Sequence, residues 1–294
     1  MMQTVTHGEC KDGIYLIIDK GNCRCGITDR LKTAVGLCYL ARQNGIGFYF
    51  IHRAGFDIRD YLVPNKIPWA AELSDIAKAP WRVKRIEYIP PFYDFPEFTA
   101  GKQYVCRKYI GRNIMEQHKV PEWQKIWKDL FWEMFQPSEK VKLALSERKL
   151  PDHYAVVNAR FVNSLGWFEN TSFNKPFSAE IQEQIISEVL KKVKQCEEES
   201  DVPVIVYSDS AAFLKAASER GFQICDLEGI GNIMNTKIGR RVELDTFVNF
   251  FQMSQADKIY SIRKIEGLPD NCLYTTQYPR YAAIIGDKPF IKVE

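Results

Sequence analysis

Short apolar runs alternate with stretches of helical period along this chain. Ile14-Tyr15-Leu16-Ile17-Ile18 has the length and continuous apolarity of a buried strand, and Leu31, Ala34, Val35, Cys38 and Ala41 come next at helical spacing. Asp29 stands near that helix start and Gly45 at its end, and Phe48-Tyr49-Phe50-Ile51 predicts a second strand, so the chain opens on a βαβ unit. Residues 55 to 115, punctuated by Pro64, Pro68, Pro80, Pro90, Pro91 and Pro96, give no assignable period. From Pro121 onward Trp123, Ile126, Trp127, Leu130, Phe131, Met134 and Phe135 fall on one helical stripe. Such a stripe predicts a core or docking face, with Pro137 ending the helix; a sugar-stacking platform is the sharper alternative.

The second half repeats the alternation more regularly. Strands are predicted at Tyr154 to Val157, Val204 to Tyr207, Phe222 to Cys225, Lys258 to Ile262 and Pro289 to Val293. Between them, helices are predicted from Ile181 to Val193, Ala211 to Arg220, Leu244 to Gln255 and Tyr278 to Ile285. Strands alternating with helices imply doubly wound, mostly parallel sheets. A polar stretch from Ser146 to Asp152 suggests a boundary near residue 150, giving α/β lobes over 1–150 and 151–294 with a cleft between them.

Composition narrows the picture. The 294 residues suit one large domain or two medium ones, and 46% hydrophobic with 13% aromatic residues can fill a sizeable core. Lys and Arg number 40 against 37 Asp and Glu, and a net charge of +3 does not announce a nucleic-acid or anionic-membrane binder; an anion site would be local. No apolar run approaches the about 18 residues of a membrane span. The N-terminal Met1 to Gly8 lacks a signal-peptide pattern, so a cytoplasmic location is expected. Of the 8 cysteines, Cys10, Cys23, Cys25, Cys38, Cys106, Cys196, Cys225 and Cys272, only Cys23 and Cys25 lie close, and no second pair has zinc-site spacing; free thiols are expected and no metal.

In doubly wound sheets ligands bind beyond the carboxyl ends of the strands, so the residues just after each strand matter most. Asn158-Ala159-Arg160-Phe161-Val162-Asn163 brings a guanidinium there, the fork of donors that matches phosphate oxygens. Ser208-Asp209-Ser210 precedes a helix and reads equally as an N-cap or as a nucleotide-facing turn. The loop Gly21 to Arg30 joins strand to helix with glycines and the arginines Arg24 and Arg30, but it is neither a dinucleotide fingerprint nor a Walker A loop. The chain has no Asp-x-Asp pair for a nucleotide-bound divalent ion, no Gly-x-Ser-x-Gly elbow and no His-Glu-x-x-His helix.

Cys25-Gly26-Ile27-Thr28-Asp29-Arg30-Leu31-Lys32 resembles the Gly-x-Gly-Asn/Asp-Arg-Leu opening of fucosyltransferase-like glycosyltransferases, the superfamily of α-1,2-, α-1,6- and protein O-fucosyltransferases. Asn158 to Asn163 is similar to that family's His-x-Arg-Arg-x-Asp, and Ser208-Asp209-Ser210 to its Thr-Asp-Ser/Asp. Asp245 to Ser261, then Thr276 to Ala283 with Lys288-Pro289, resembles its last landmark. The resemblance implies a GT-B fold of two Rossmann-like lobes, an N-terminal acceptor-side lobe and a C-terminal lobe for a nucleotide sugar, GDP-sugar favoured, with inversion at the anomeric carbon and no bound metal. It implies that Arg160 grips the donor diphosphate, and that Asn158, Asn163, Ser208, Asp209, Ser210, Asp245, Thr276 and Arg280 line the donor site. Gly26, Arg24 and Arg30 would border the cleft, and Asp29 would take the acceptor hydroxyl's proton.

Asn158 stands where the family has His, Asn163 where it has Asp, and Phe161 where many members have a second Arg. Two readings are open: a glycosyltransferase moving a sugar, L-fucose among the candidates, onto a glycan hydroxyl, or a catalytically silent nucleotide- or glycan-binding protein on the same fold. A Rossmann oxidoreductase or methyltransferase would share the periodicity but lacks its glycine fingerprint.

Overall fold

The computed structural model describes residues 11–19, 26–89, 92–107, 112–166, 175–225 and 240–294. The chain divides into two compact units, the first comprising the residues before Gly26 and Asp29–Ser138, the second Glu139–Glu294 with Gly26–Thr28. The break thus falls 12 residues before the expected boundary near 150.

In the first unit the elements run β1 (Gly13–Asp19), α1 (Ile27–Gln43), β2 (Gly47–Arg53), β3 (Leu62–Pro64), β4 (Val83–Ile89), β5 (Phe92–Asp94), β6 (Gln103–Cys106), α2 (Ile114–Gln117), α3 (Trp123–Met134) and β7 (Phe135–Pro137). Five strands form a sheet in the order β2-β1-β6-β4-β5, parallel except where β5 turns back on β4. The proline-rich segment with no readable period supplies β4 and β5, while the helical stripe ends earlier than Pro137. Phe135 leaves the helix because Phe135–Pro137 pairs antiparallel with Leu62–Pro64. Trp127, Leu130, Phe131 and Met134 are buried, so the aromatic stripe is core and not a sugar platform. Trp69 locks it in place, donating its indole N–H to the Met134 carbonyl at 2.6 Å while packing edge-on against Phe135.

The second unit runs α4 (Glu139–Glu147), β8 (Ala155–Ala159), α5 (Ala179–Glu198), β9 (Val204–Ser208), α6 (Ala211–Glu219), β10 (Gln223–Ile224), α7 (Arg240–Gln255), β11 (Lys258–Ile262), α8 (Tyr278–Gly286) and β12 (Phe290–Val293). Its sheet is wholly parallel in the order β10-β9-β8-β11-β12. β8 is buried along its whole length, as expected of a central parallel strand covered on both faces. α5 turns Ile185, Val189, Leu190 and Val193 inward. α4 belongs here because it packs on α7, where Arg148 meets Asp245 at 2.6 Å. α7 and α8 approach so closely at Gly286 that a Cβ there would lie 1.9 Å from the Ser254 carbonyl oxygen, which requires glycine. Among the described residues no helix is long and apolar enough to cross a membrane.

His52, at the end of β2, gives the first unit a pH dependence. Burial, and then the Arg30 charge, push its pKa from 6.5 down to about 3, so the folded state holds it neutral. A depressed histidine contributes its full stability above its unfolded value and loses it as the pH falls toward the folded one. Urea unfolding is therefore expected to weaken between pH 6.5 and about 3, by up to about 1.4 kcal/mol per pH unit from this group. His52→Gln should flatten that limb; an acid slope identical in both proteins would refute the assignment.

Candidate active site

The order of the second sheet reverses at β8. From it the chain steps outward through β9 to β10, and later returns to place β11 and β12 on the other side. A crevice beyond the carboxyl ends of the strands at such a reversal is where open α/β sheets bind ligands. Register decides what stands there. Ala159 pairs with Ser208 of β9 and with Ile262 of β11, so the next residues, Asp209, Arg160 and Arg263, occupy one row along the sheet edge.

Asp209 organises this row. Its carboxylate accepts the amide N–H of Phe161 at 2.8 Å and that of Val162 at 2.9 Å, and lies 3.7 Å from Nε of Arg160. Val162 has φ of 54°, left-handed backbone that a β-branched residue rarely adopts. Such a conformation costs about 1–3 kcal/mol and persists only where its surroundings impose it; two hydrogen bonds to one carboxylate do so here. Burial raises the Asp209 carboxyl above the ordinary aspartate value, with Arg160 and then the two amides drawing it back.

The loops after β8 and β11 are stitched together beside the crevice. Tyr274 donates its amide to the Arg160 carbonyl at 2.7 Å, Ser164 donates its hydroxyl to the Cys272 carbonyl at 2.7 Å, and Arg160 Nη1 donates to Thr276 Oγ1 at 3.2 Å. Arg160 thus stands between Asp209, the residue after β9, and the entry to α8, with its side chain 40% exposed, available to an anion. Phe161, the neighbour of Arg160, is instead buried and packs on Phe213 of α6, the ring centres 4.8 Å apart.

The other expected donor residues divide. Asn158, Asn163 and Thr276 are buried at or near this edge. Ser208 Oγ accepts the Ser210 amide and Ser210 Oγ accepts that of Phe213, so these hydroxyls act as a turn and an N-cap. Asp245 is turned into the α4–α7 packing by Arg148. Arg280, in the first turn of α8, donates to Gln277 Oε1 at 3.3 Å.

In the first unit, Asp29 pairs with Lys32 at 2.6 Å in the opening turn of α1, a favourable place for an acid beside free helix-start amides. Arg30 is fully buried; its Nη1 donates to His52 Nε2 at 2.7 Å, and its guanidinium lies over the Phe56 ring. That bond fixes the tautomer, leaving His52 Nδ1 to donate to the Phe56 carbonyl at 3.0 Å. Gly26 is exposed, and Arg24 lies outside the described residues, as do Cys23 and Cys25. At this end of β2 a cavity of about 10 Å³ is bordered by His52, Arg53, Asp57, Arg59 and Glu72, room for one water and not for a sugar. No group of three or more His, Cys, Asp or Glu side chains among the described residues is placed to hold a metal.

Arg263 escaped the sequence reading, although its position directly after β11 is the same signal that marked Arg160 after β8. Its Nε and Nη2 are buried without a hydrogen-bond partner, and its guanidinium faces the Phe290 ring at 5.4 Å.

The clamp can be tested through its acceptor count. A carboxylate offers two oxygens to two amides, whereas an amide offers one and turns an NH2 toward the other donor. Asp209→Asn is expected to lose about 1–3 kcal/mol of unfolding free energy in denaturant melts; unchanged stability would refute the clamp.

Neither a protein-family model nor a curated protein sequence matches the chain. Solved structures do. The fucosyltransferase NodZ from Bradyrhizobium aligns at a TM-score of 0.57 and 12% identity, over 92% of this chain and 92% of that one. NodZ α-1,6-fucosyltransferase soaked with GDP-fucose aligns at 0.56 and 11% identity, over 94% and 93%. A mutant of Arabidopsis thaliana FUT1 in complex with GDP aligns at 0.56 and 12% identity, over 98% of this chain and 71% of that one. The pair of mostly parallel α/β units described above is therefore the GT-B type of fold seen in these fucosyltransferases.

Proposed function

We propose that this chain is a glycosyltransferase that moves a sugar, L-fucose the leading candidate, from a guanosine diphosphate donor to a hydroxyl of a glycan. The observation that carries the reading is Arg160, set at the switch point of the second sheet between Asp209 and Thr276 and still open on one side. GDP and GDP-fucose, bound by the similar structures, support the choice of nucleotide.

In this reading the acceptor oxygen attacks the anomeric carbon from the face opposite the diphosphate and inverts it. The new carbon–oxygen bond forms as the carbon–phosphate oxygen bond breaks, the acceptor proton passes to a base, and GDP leaves with the bonding electrons. Charge then accumulates on the departing diphosphate, and a guanidinium already aimed there stabilises the transition state more than the ground state. The arginine supplies positive charge of the kind a divalent ion would otherwise bring, so transfer without added metal is part of the proposal.

The test is nucleotide binding and transfer by wild type and Arg160→Ala. Wild type should be stabilised thermally by GDP and should transfer fucose from GDP-fucose in the presence of EDTA. The variant should lose transfer by about 100-fold or more. Binding of GDP without turnover of any nucleotide sugar would leave the silent binder that Asn158 and Asn163 suggest; no binding of any nucleoside diphosphate would overturn both.

A further inference from the structure

We propose that Arg263 supplies a second guanidinium to the anion site at the switch point, binding the donor diphosphate together with Arg160. The identity of the anion rests on the nucleotide-sugar reading above; the existence of an anion site does not.

Register places the two arginines. Ile262 and Ala159 are paired residues of adjacent parallel strands, and Arg263 and Arg160 are the next residues along each chain segment, on the two sides of the point where strand order reverses. Arg263 is anchored there by its own amide, which donates to the Val293 carbonyl at 3.0 Å.

Its side chain is poorly served by the protein. Nε and Nη2 are shielded from solvent yet donate to nothing. Buried donors left unmade are uncommon and destabilising, and a guanidinium N–H more so than a neutral one. Burial and the positive charge of Arg280 both lower the pKa of Arg263, with Glu294 opposing them. The Phe290 ring centre lies 5.4 Å from the guanidinium carbon, a cation–π contact that satisfies none of its N–H groups. Arg160 has the Asp209 carboxylate 3.7 Å away, whereas two nitrogens of Arg263 meet no acceptor. A diphosphate carries two groups of acceptor oxygens and can satisfy both forks at once.

This assignment separates ligand binding from folding. A guanidinium kept for structure would cost stability when removed; one kept for an anion should not. Calorimetric titrations with GDP, sodium pyrophosphate and guanosine, and thermal melts without ligand, are to be run on wild type, Arg263→Gln, Arg263→Lys and Arg160→Ala. Arg263→Gln should bind GDP and pyrophosphate about tenfold or more weakly and guanosine unchanged, with a melting temperature equal to or above that of wild type. Arg263→Lys, which keeps the charge and loses the fork, should fold normally and bind GDP at an intermediate strength. Binding of both anions by Arg263→Gln within twofold of wild type overturns the proposal, as does a lowered melting temperature that Arg263→Lys restores together with full GDP affinity. If Arg160→Ala weakens GDP binding while Arg263→Gln does not, the nucleotide-sugar reading stands and this one falls. If wild type binds pyrophosphate through Arg263 but not GDP, the reverse holds; if wild type binds neither, both fall.

Discussion

The ladder hydrogen bonds that fix β8 between β9 and β11 also fix which side chains meet beyond the strand ends. β8 is buried along its whole length and pairs through all of its residues with β9 on one side and β11 on the other. With the pairing held at Ala159, Ser208 and Ile262, the chain has no freedom in the next row of the edge: an aspartate, an arginine and a second arginine stand side by side. Chemistry at this edge is a consequence of register more than of any single motif.

Strain and packing then convert that row into a shaped site. Val162 accepts left-handed backbone where Asp209 holds its amide and that of Phe161, and beside it Phe161 packs against Phe213. Phe161 is thereby spent on anchoring α6. On the far side, Gly286 lets α8 settle on α7, and the Tyr278 hydroxyl bonds the Thr246 carbonyl, which sets the turn where Thr276 meets Arg160. Asp209, expected to face a nucleotide, acts here chiefly through the turn that presents Arg160.

Much of this was legible in the sequence, for physical reasons that also explain the gaps. Continuous apolar runs such as Ile14 to Ile18 and Val204 to Tyr207 read as strands because both faces of a parallel sheet are buried. The stretch from residue 55 to 115 was opaque because its strands are short or flanked by prolines, and its order in the sheet, with β6 between β1 and β4, depends on long-range pairing. Phe135 read as helix because periodicity cannot see that β3 waits to pair with it. Arg160 was legible because an arginine after a strand is a local pattern, whereas the importance of Arg263 appears only when strand order puts β11 beside β8. The division at Ser138 depends on α4 packing against α7, an association that no local signal announces.

The central proposal is that the carboxyl edge of the second sheet, at β8 and β11, receives a nucleotide diphosphate. Hydrogen exchange with and without GDP tests it most directly, since bound ligand suppresses local opening where it sits. The expected result is slowed exchange in peptides spanning 158–166 and 260–280, with the β2 end of the first sheet unaffected. Unchanged exchange in both peptides at saturating GDP, or protection confined to the first unit, would contradict it.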